Sequence, residues 1–280
     1  MSKLRSLASS AKRRVTSPVD NLHAEVETMR KLNRRLERSV AKLEGKPAPA
    51  AKPPALPADF DEEAKEIIRA VRPYTMTSPD KLFSLINGVR HVVSTGVQGD
   101  LVECGVWRGG SMHAVARTLE SMGVTDRELY LFDTFSGMTE PTEKDVSLGG
   151  TPAASLLERA NKTANVWAIA SIEDVREGLA QLSYPSERFH LVPGPVEETI
   201  PGSAPDKIAV LRLDTDWYES TRHELEHLYD RLVPGGILII DDYGTWQGAK
   251  QATDEFLARL DQKPLMHRAG RGRIGVKPGA

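Results

Sequence analysis

The chain has a single cysteine, Cys104, so no disulfide can form within it, and this usage fits a reducing compartment. No apolar run approaches the roughly 18 residues of a membrane span. The N-terminus carries basic residues but no apolar h-region, the core of a secretory signal. A soluble, cytoplasmic protein is expected, without membrane contact. Positive charge is not in excess: 37 Lys and Arg stand against 39 Asp and Glu, a net charge of −2. No global basic field points to nucleic acid, and none is expected as a partner. What is there is length, 280 residues, enough for one good-sized domain and an appendage.

The most informative stretch runs from Gly99 to Ser111, Gly-Asp-Leu-Val-Glu-Cys-Gly-Val-Trp-Arg-Gly-Gly-Ser. Leu101 and Val102 read as the end of a buried strand, Gly105, Gly109 and Gly110 as a turn, and Ser111 to Met122 as a helix. Such a strand, turn and helix form a pocket where backbone N–H groups can meet a ligand and glycines allow close approach. The spacing is neither G-x-G-x-x-G nor a Walker A loop, which disfavours a nicotinamide oxidoreductase. Glu103, before the turn, suits a cationic or hydroxylated ligand better than a pyrophosphate, and S-adenosylmethionine fits that description. Cys104 reads as a small buried residue rather than a nucleophile.

Ahead of this body lies the appendage. Residues 1–18 form a basic arm, with Lys3, Arg5, Lys12, Arg13 and Arg14. Over residues 19–45 a heptad places Val19, Val26, Asn33 and Val40 at a, and Leu22, Met29, Leu36 and Leu43 at d. That pattern favours a parallel two-stranded coil, with Asn33 fixing register, and predicts a homodimer or higher homo-oligomer. A single solvated helix is the plainer alternative. Residues 46–58, rich in proline and alanine, read as a stiff linker. The body then occupies 59–280.

Within the body, Asp61 to Val71 reads as a helix, and Ser78-Pro79-Asp80 starts another with a capping hydroxyl and a first-turn proline. Leu82, Leu85, Ile86, Val89 and Val93 give the second helix one apolar face, and both helices are expected to cover the first strand. Strands follow at Glu128–Phe132, Phe189–Val192, Lys207–Leu213 and Gly236–Ile240, with helices at Ile172–Leu182, Glu219–Leu232 and Gly248–Leu260. This alternation predicts a parallel sheet with helices on both faces. Asp133, at the end of the second strand, stands where nucleotide-binding folds hold a ribose. Thr134 to Ser171, rich in Gly, Pro, Ser and Thr, reads as a lid with a helix within 153–164.

Two strands end in carboxylates, Asp214 and Asp216 on one, Asp241 and Asp242 on the other. On neighbouring strands about 4.8 Å apart these four acids converge. Clustered carboxylates resist joint ionisation unless a cation neutralises them, and an all-oxygen set points to Mg²⁺ first. His223-Glu-Leu-Glu-His227 matches the H-E-x-x-H zinc pattern, but Leu225, Leu228 and Leu232 put both histidines on the solvent face.

The quoted run, together with Asp133-Thr-Phe-Ser-Gly-Met, the segment from Leu211 to Thr221 and that from Pro234 to Gly244, resembles the macrocin O-methyltransferase family. The likeness runs from about Thr75-Met76-Thr77 to the helix after Gly248. It implies a Rossmann-like class I fold and S-adenosylmethionine- and Mg²⁺-dependent methyl transfer to a hydroxyl of a sugar, glycoside or glycan. By position it implies Asp214, Asp241 and Asp242 as metal ligands and Asp216 as general base. Thr75, Met76, Glu103, Gly105, Gly109, Gly110, Ser111 and Asp133 would surround the donor. Pro195-Val196 depart from the family's aromatic residue after Gly194, and the coil and linker fall outside the family pattern. A catechol or phenolic acceptor is the main alternative within methyl transfer, and a coiled-coil scaffold with a vestigial fold the alternative outside it.

Overall fold

The computed structural model describes Met29, residues 55–160 and residues 167–279. The basic arm, all of the heptad but Met29 and most of the linker lie outside the described residues. Contacts within the chain divide it between Ala55 and Leu56, and the sheet and its helices belong to the unit Leu56–Ala280.

Seven strands form one sheet: β1 (Asp100–Cys104), β2 (Leu129–Asp133), β3 (Phe189–Pro193), β4 (Ile208–Leu213), β5 (Leu232–Ile240), β6 (Leu265–Ala269) and β7 (Gly272–Val276), in the order β3-β2-β1-β4-β5-β7-β6. β1 to β5 pair in parallel. β7 enters antiparallel beside β5, and β6 pairs antiparallel with β7. The C-terminal hairpin was not foreseen, because its strands carry few apolar residues and Leu265 at the sheet edge is largely exposed.

Helices cover both faces, as expected. Side chains alternate along β1, so Leu101 faces one side and Val102 the other. On the Leu101 side pack α2 (Pro79–Ser94), α3 (Gly110–Ser121) and α5 (Ile172–Leu179), through Leu85, Val89, Leu119 and Val175. On the Val102 side α7 (Tyr218–Leu228) packs with Leu225 and Leu228, and α8 (Gln247–Ala258) lies beside it. Two shorter helices, α4 (Ala153–Arg159) and α6 (Val196–Thr199), flank the loops.

Three details correct the expectation. The helix α1 (Glu62–Val71), capped by Asp61 accepting from the Ala64 N–H at 2.9 Å, does not lie on the sheet. Its Ile67, Ile68 and Val71 pack on Leu82 and Ile86 of α2 and Ala114 of α3, as an outer layer. α2 starts at Pro79 without a cap bond from Ser78, and buries Val92 more deeply than Val93. α7 stops at Leu228, so that Leu232 begins β5.

Candidate active site

The strand order reverses direction at β1, where β2 lies on one side and β4 on the other. Parallel sheets leave a crevice beyond the carboxyl ends of the strands at such a point. A cavity of about 270 Å³ opens there, lined by Gly105 after β1, Asp133 at the end of β2, Gly194 after β3, Asp214 after β4 and Asp241 and Asp242 after β5.

One side of the cavity is built from backbone. Gly105 has φ +83°, and a Cβ on it would lie 2.1 Å from the Asp214 carbonyl oxygen. Gly110 has a similar restriction, since a Cβ would lie 2.5 Å from the Tyr74 carbonyl oxygen and from Thr75 Cβ. Gly109, at φ +81°, is the N-cap of α3. The close approach these glycines permit is chain to chain: they let the 105–110 turn nest against the segments that carry Thr75 and Asp214. Ser111 is buried in the first turn of α3. Met76 lines the cavity and is partly exposed, whereas Thr75 lies behind it, its Oγ1 accepting from the Thr77 N–H at 3.0 Å.

Asp133 ties this turn down. Its Oδ2 accepts from the N–H groups of Val106 (2.6 Å) and Trp107 (3.0 Å), and its Oδ1 from that of Phe135 (2.7 Å). Gly105 and Gly109 donate their own N–H groups to the Phe132 and Val106 carbonyls. The turn is therefore no open anion nest, since these N–H groups are spent within the protein. The Thr134 hydroxyl adds a long fourth bond to Oδ1 at 3.5 Å, so all four acceptor positions of the carboxylate face a protein donor, and this longest bond is the one a ligand would most readily replace. Trp107 at φ +48°, Ala168 at +46° and Asp216 at +70° also line the cavity. Non-glycine residues in this region store strain and concentrate at functional sites.

The other side is built from charge. β4 and β5 pair so that Leu213 stands opposite Ile240, which places Asp214 and Asp241 side by side. Oxygens of Asp214, Asp241 and Asp242 lie within 4.8 Å of one another, the one such group among the described residues. Asp216 lies beyond the end of β4 and reaches the same cavity by its left-handed backbone, with Oδ1 accepting from Trp246 Nε1 at 2.7 Å. Burial, with Asp214 adding repulsion, pushes the Asp216 carboxyl up to about 7. Burial also raises Asp214 and Asp242 well above the carboxylate range. Asp241 is held below it, because Arg212 and Lys81 outweigh the cost of its burial.

The sequence reading gave the relief of repulsion to a metal ion and held that a lysine or arginine among the acids would overturn it; Arg212 and Lys81 do stand against Asp214 and Asp241, so at those two acids part of the relief comes from the protein. Arg212, only 3% exposed, donates to Glu103 Oε1 (2.5 Å), Asp241 Oδ1 (2.7 Å) and Thr77 Oγ1 (3.1 Å), and forms an ion pair with Asp214 Oδ2 (2.7 Å). Lys81 in the first turn of α2 pairs with Asp241 Oδ2. Glu103 faces Arg212 and does not line the cavity; burial pushes its carboxyl up to about 7 against the pull of Arg212. A signal was available: Glu103 and Arg212 are the charged residues inside two apolar buried strands, and they are direct neighbours across the β1–β4 pairing. An unpaired charge there would be prohibitive, so each implied the other.

Two protein cations thus face five carboxylates, Glu103, Asp214, Asp216, Asp241 and Asp242. Neither cation pairs with Asp216 or Asp242, and Asp242 Oδ2 is buried and receives no hydrogen bond from the protein. All-oxygen ligands, three converging carboxylates and an orphaned oxygen fit a hard divalent cation.

The remaining candidates fall away from the cavity, support it from behind or complete its wall. His227 is exposed and His223 half-buried, with ring centroids 4.3 Å apart, while Glu224 of the same pattern is buried. Trp246 and Trp217 pack edge to face at 5.1 Å, and Trp217 Nε1 donates to the Thr139 carbonyl. The 134–171 segment supplies part of the cavity wall through Thr134, Met138, Thr139 and Ala168. It is stitched to the loop after Asp242 by the Leu148 N–H to Thr245 and the Gln247 N–H to Val146. Pro195 and Val196 complete the wall after Gly194. Cys104 is buried, which raises its thiol well above its ordinary range.

The family described as Macrocin-O-methyltransferase (TylF) matches residues 21–267. That span takes in most of the heptad and the linker, so these segments are not foreign to the family as the motifs alone had implied. Demethyldecarbamoylnovobiocin O-methyltransferase of Streptomyces niveus is 36% identical over 188 residues, 67% of this chain and 69% of that protein. An 8-demethyl-8-(2,3-dimethoxy-alpha-L-rhamnosyl)-tetracenomycin-C 4'-O-methyltransferase of Streptomyces olivaceus is 38% identical over 170 residues, 61% of this chain but only 62% of that one. The solved O-methyltransferase NovP is 32% identical and superposes with a TM-score of 0.65, covering 74% of this chain and 83% of that structure. With the parallel sheet, the crevice at β1 and the family's motifs at its rim, this chain belongs to the macrocin O-methyltransferases, a family of S-adenosylmethionine-dependent enzymes.

Proposed function

We propose that the protein transfers the methyl group of S-adenosylmethionine to a hydroxyl of a sugar on a small glycosylated molecule, with a divalent cation, Mg²⁺ first, held by Asp214, Asp241 and Asp242. The observation that carries this reading is the meeting, in one cavity, of a backbone-built turn and a carboxylate cluster with an orphaned oxygen. The relatives that act on rhamnosyl and novobiocin compounds support the acceptor class. The donor would lie along Gly105, Met76 and Asp133, with its ribose within reach of Asp133.

A sugar hydroxyl holds its proton far above neutral pH and is a poor nucleophile. A bound divalent cation supplies Lewis acidity that lowers such a pKa by several units. Asp216, with its carboxyl near 7 and one oxygen fixed by Trp246, is suited to take the proton as general base. The methyl donor carries its own leaving group, so the chain's task is alignment and exclusion of water. The heptad over residues 19–45 supports pairing of two copies, and the single cysteine supports a cytoplasmic, reducing location.

The test is transfer of labelled methyl from S-adenosylmethionine to a panel of glycosides, repeated after EDTA and after added Mg²⁺. Transfer that EDTA abolishes and Mg²⁺ restores is the expected result. Transfer indifferent to EDTA removes the cation, and transfer only to catechols moves the acceptor class.

A further inference from the structure

Resting on the cation reading above, one feature of the cluster separates two kinds of counter-charge. Both oxygens of Asp241 are already engaged by the protein, Oδ1 by Arg212 at 2.7 Å and Oδ2 by Lys81. The two partners are not equivalent. Arg212 is enclosed by Glu103, Asp214, Asp241 and Thr77, and has nowhere to go. Lys81 reaches in from the first turn of α2 on a flexible four-carbon stem, and its side chain already lines the cavity. Asp242, only 7% exposed, meanwhile holds its Oδ2 without a donor.

A divalent cation that used Asp214, Asp241 and Asp242 together would come to rest beside the Lys81 ammonium. Two like charges a few ångströms apart inside a protein repel strongly. We infer that Lys81 is the site's resident counter-ion: it occupies Asp241 when the cation is absent, leaves when the cation enters, and thereby weakens cation binding. Arg212 stays in place throughout and keeps Glu103 and Asp241 paired.

The experiment is Mn²⁺ binding to the full chain, without donor or acceptor, read by electron paramagnetic resonance of free Mn²⁺. Lys81→Met keeps the stem and removes the charge, and should bind Mn²⁺ at least about tenfold more tightly than the wild type. Lys81→Arg, which keeps a cation there, should not tighten it. Equal or weaker binding by Lys81→Met, with normal binding by the wild type, overturns the inference and leaves the cation reading intact. If neither protein binds Mn²⁺, both fall. A second measurement needs no variant: acylation of Lys81, followed by mass spectrometry, should rise several-fold when Mg²⁺ saturates the wild-type protein. Protection of Lys81 by Mg²⁺, or no change, counts against displacement.

Discussion

The two sides of the cavity solve opposite problems. Around β1 and β2 the wall is backbone, fixed by glycines at positive φ and by one carboxylate that gathers three N–H groups. Around β4 and β5 the wall is charge, and two cations pair with three of five acids held at close quarters. The first side is set by sterics, which act over a few bonds and tolerate no change of residue. The second is set by electrostatics, in which each group's state depends on every other. Substitutions on the first side should change shape and donor affinity, while those on the second should change charge, rate and metal binding.

The largest effect is expected where that division is sharpest. Asp216→Asn should cut methyl transfer by roughly 10²- to 10⁴-fold, the range for a positioned general base, while calorimetry finds donor affinity within about twofold of normal. In the wild type, loss of the base through protonation gives kcat/KM a limb that rises with pH, and because transfer is read with the cation bound, whose charge opposes protonation, the limb levels off below about 7, the value to which burial lifts Asp216 in the cation-free cluster. On the acid side of the limb the rate falls tenfold per pH unit. Near-normal turnover by Asp216→Asn, or an unchanged limb in it, would remove the base from Asp216.

Next comes Arg212→Met, which leaves Glu103 and Asp241 buried without their principal partner. Breaking a buried pair in this way costs about 3–5 kcal/mol, a fall of roughly 10 °C in Tm for a body of this size. Adding Glu103→Leu should restore part of the loss, because the buried charge is then gone. A Tm unchanged by Arg212→Met would mean that the charged side is not held as the contacts imply.

On the backbone side, Gly105→Ala combines φ +83° with a methyl 2.1 Å from the Asp214 carbonyl oxygen. Strain at such a position and the shift needed to clear the contact cost roughly 2–4 kcal/mol. Because the displaced strand end carries Asp214, both Tm and donor affinity should fall, and Gly105 is where the two sides meet. A variant with normal Tm and donor affinity would show the 105–110 turn to be softer than its geometry indicates.

The same contrast explains what was legible in the sequence. Glycine spacing, strand ends and the four acids are local marks, and the sheet, the turn and the convergence of Asp214, Asp241 and Asp242 followed from them. Lys81 was not legible, because it lies 160 residues from Asp241 and on a helix that read as plain amphipathic cover. Arg212 was legible in principle, since a lone Arg in Ile208–Leu213 demands an acid, and Glu103 in the neighbouring strand supplies it. Glu103 was instead read toward the ligand, because a carboxylate beside a glycine turn invites that reading when its strand partner is unknown. The hairpin of β6 and β7 left no alternation strong enough to see.

Asp133 gives the smallest effect and the finest test, because it belongs to the backbone side yet acts by charge. Asn in its place has one acceptor oxygen for the N–H groups of Val106, Trp107 and Phe135, and brings an NH₂ that cannot accept. Losing charge-assisted bonds to the turn should weaken donor binding about tenfold, or ~1.4 kcal/mol. That loss alone does not separate a carboxylate that pins the turn from one that also holds the donor ribose. A cycle with a donor analogue lacking the ribose hydroxyls does separate them. If Asp133 meets the ribose, removing the hydroxyls weakens binding to the wild type much more than to Asp133→Asn. If it only fixes the turn, the two losses add, and the turn's geometry alone accounts for donor binding on that side.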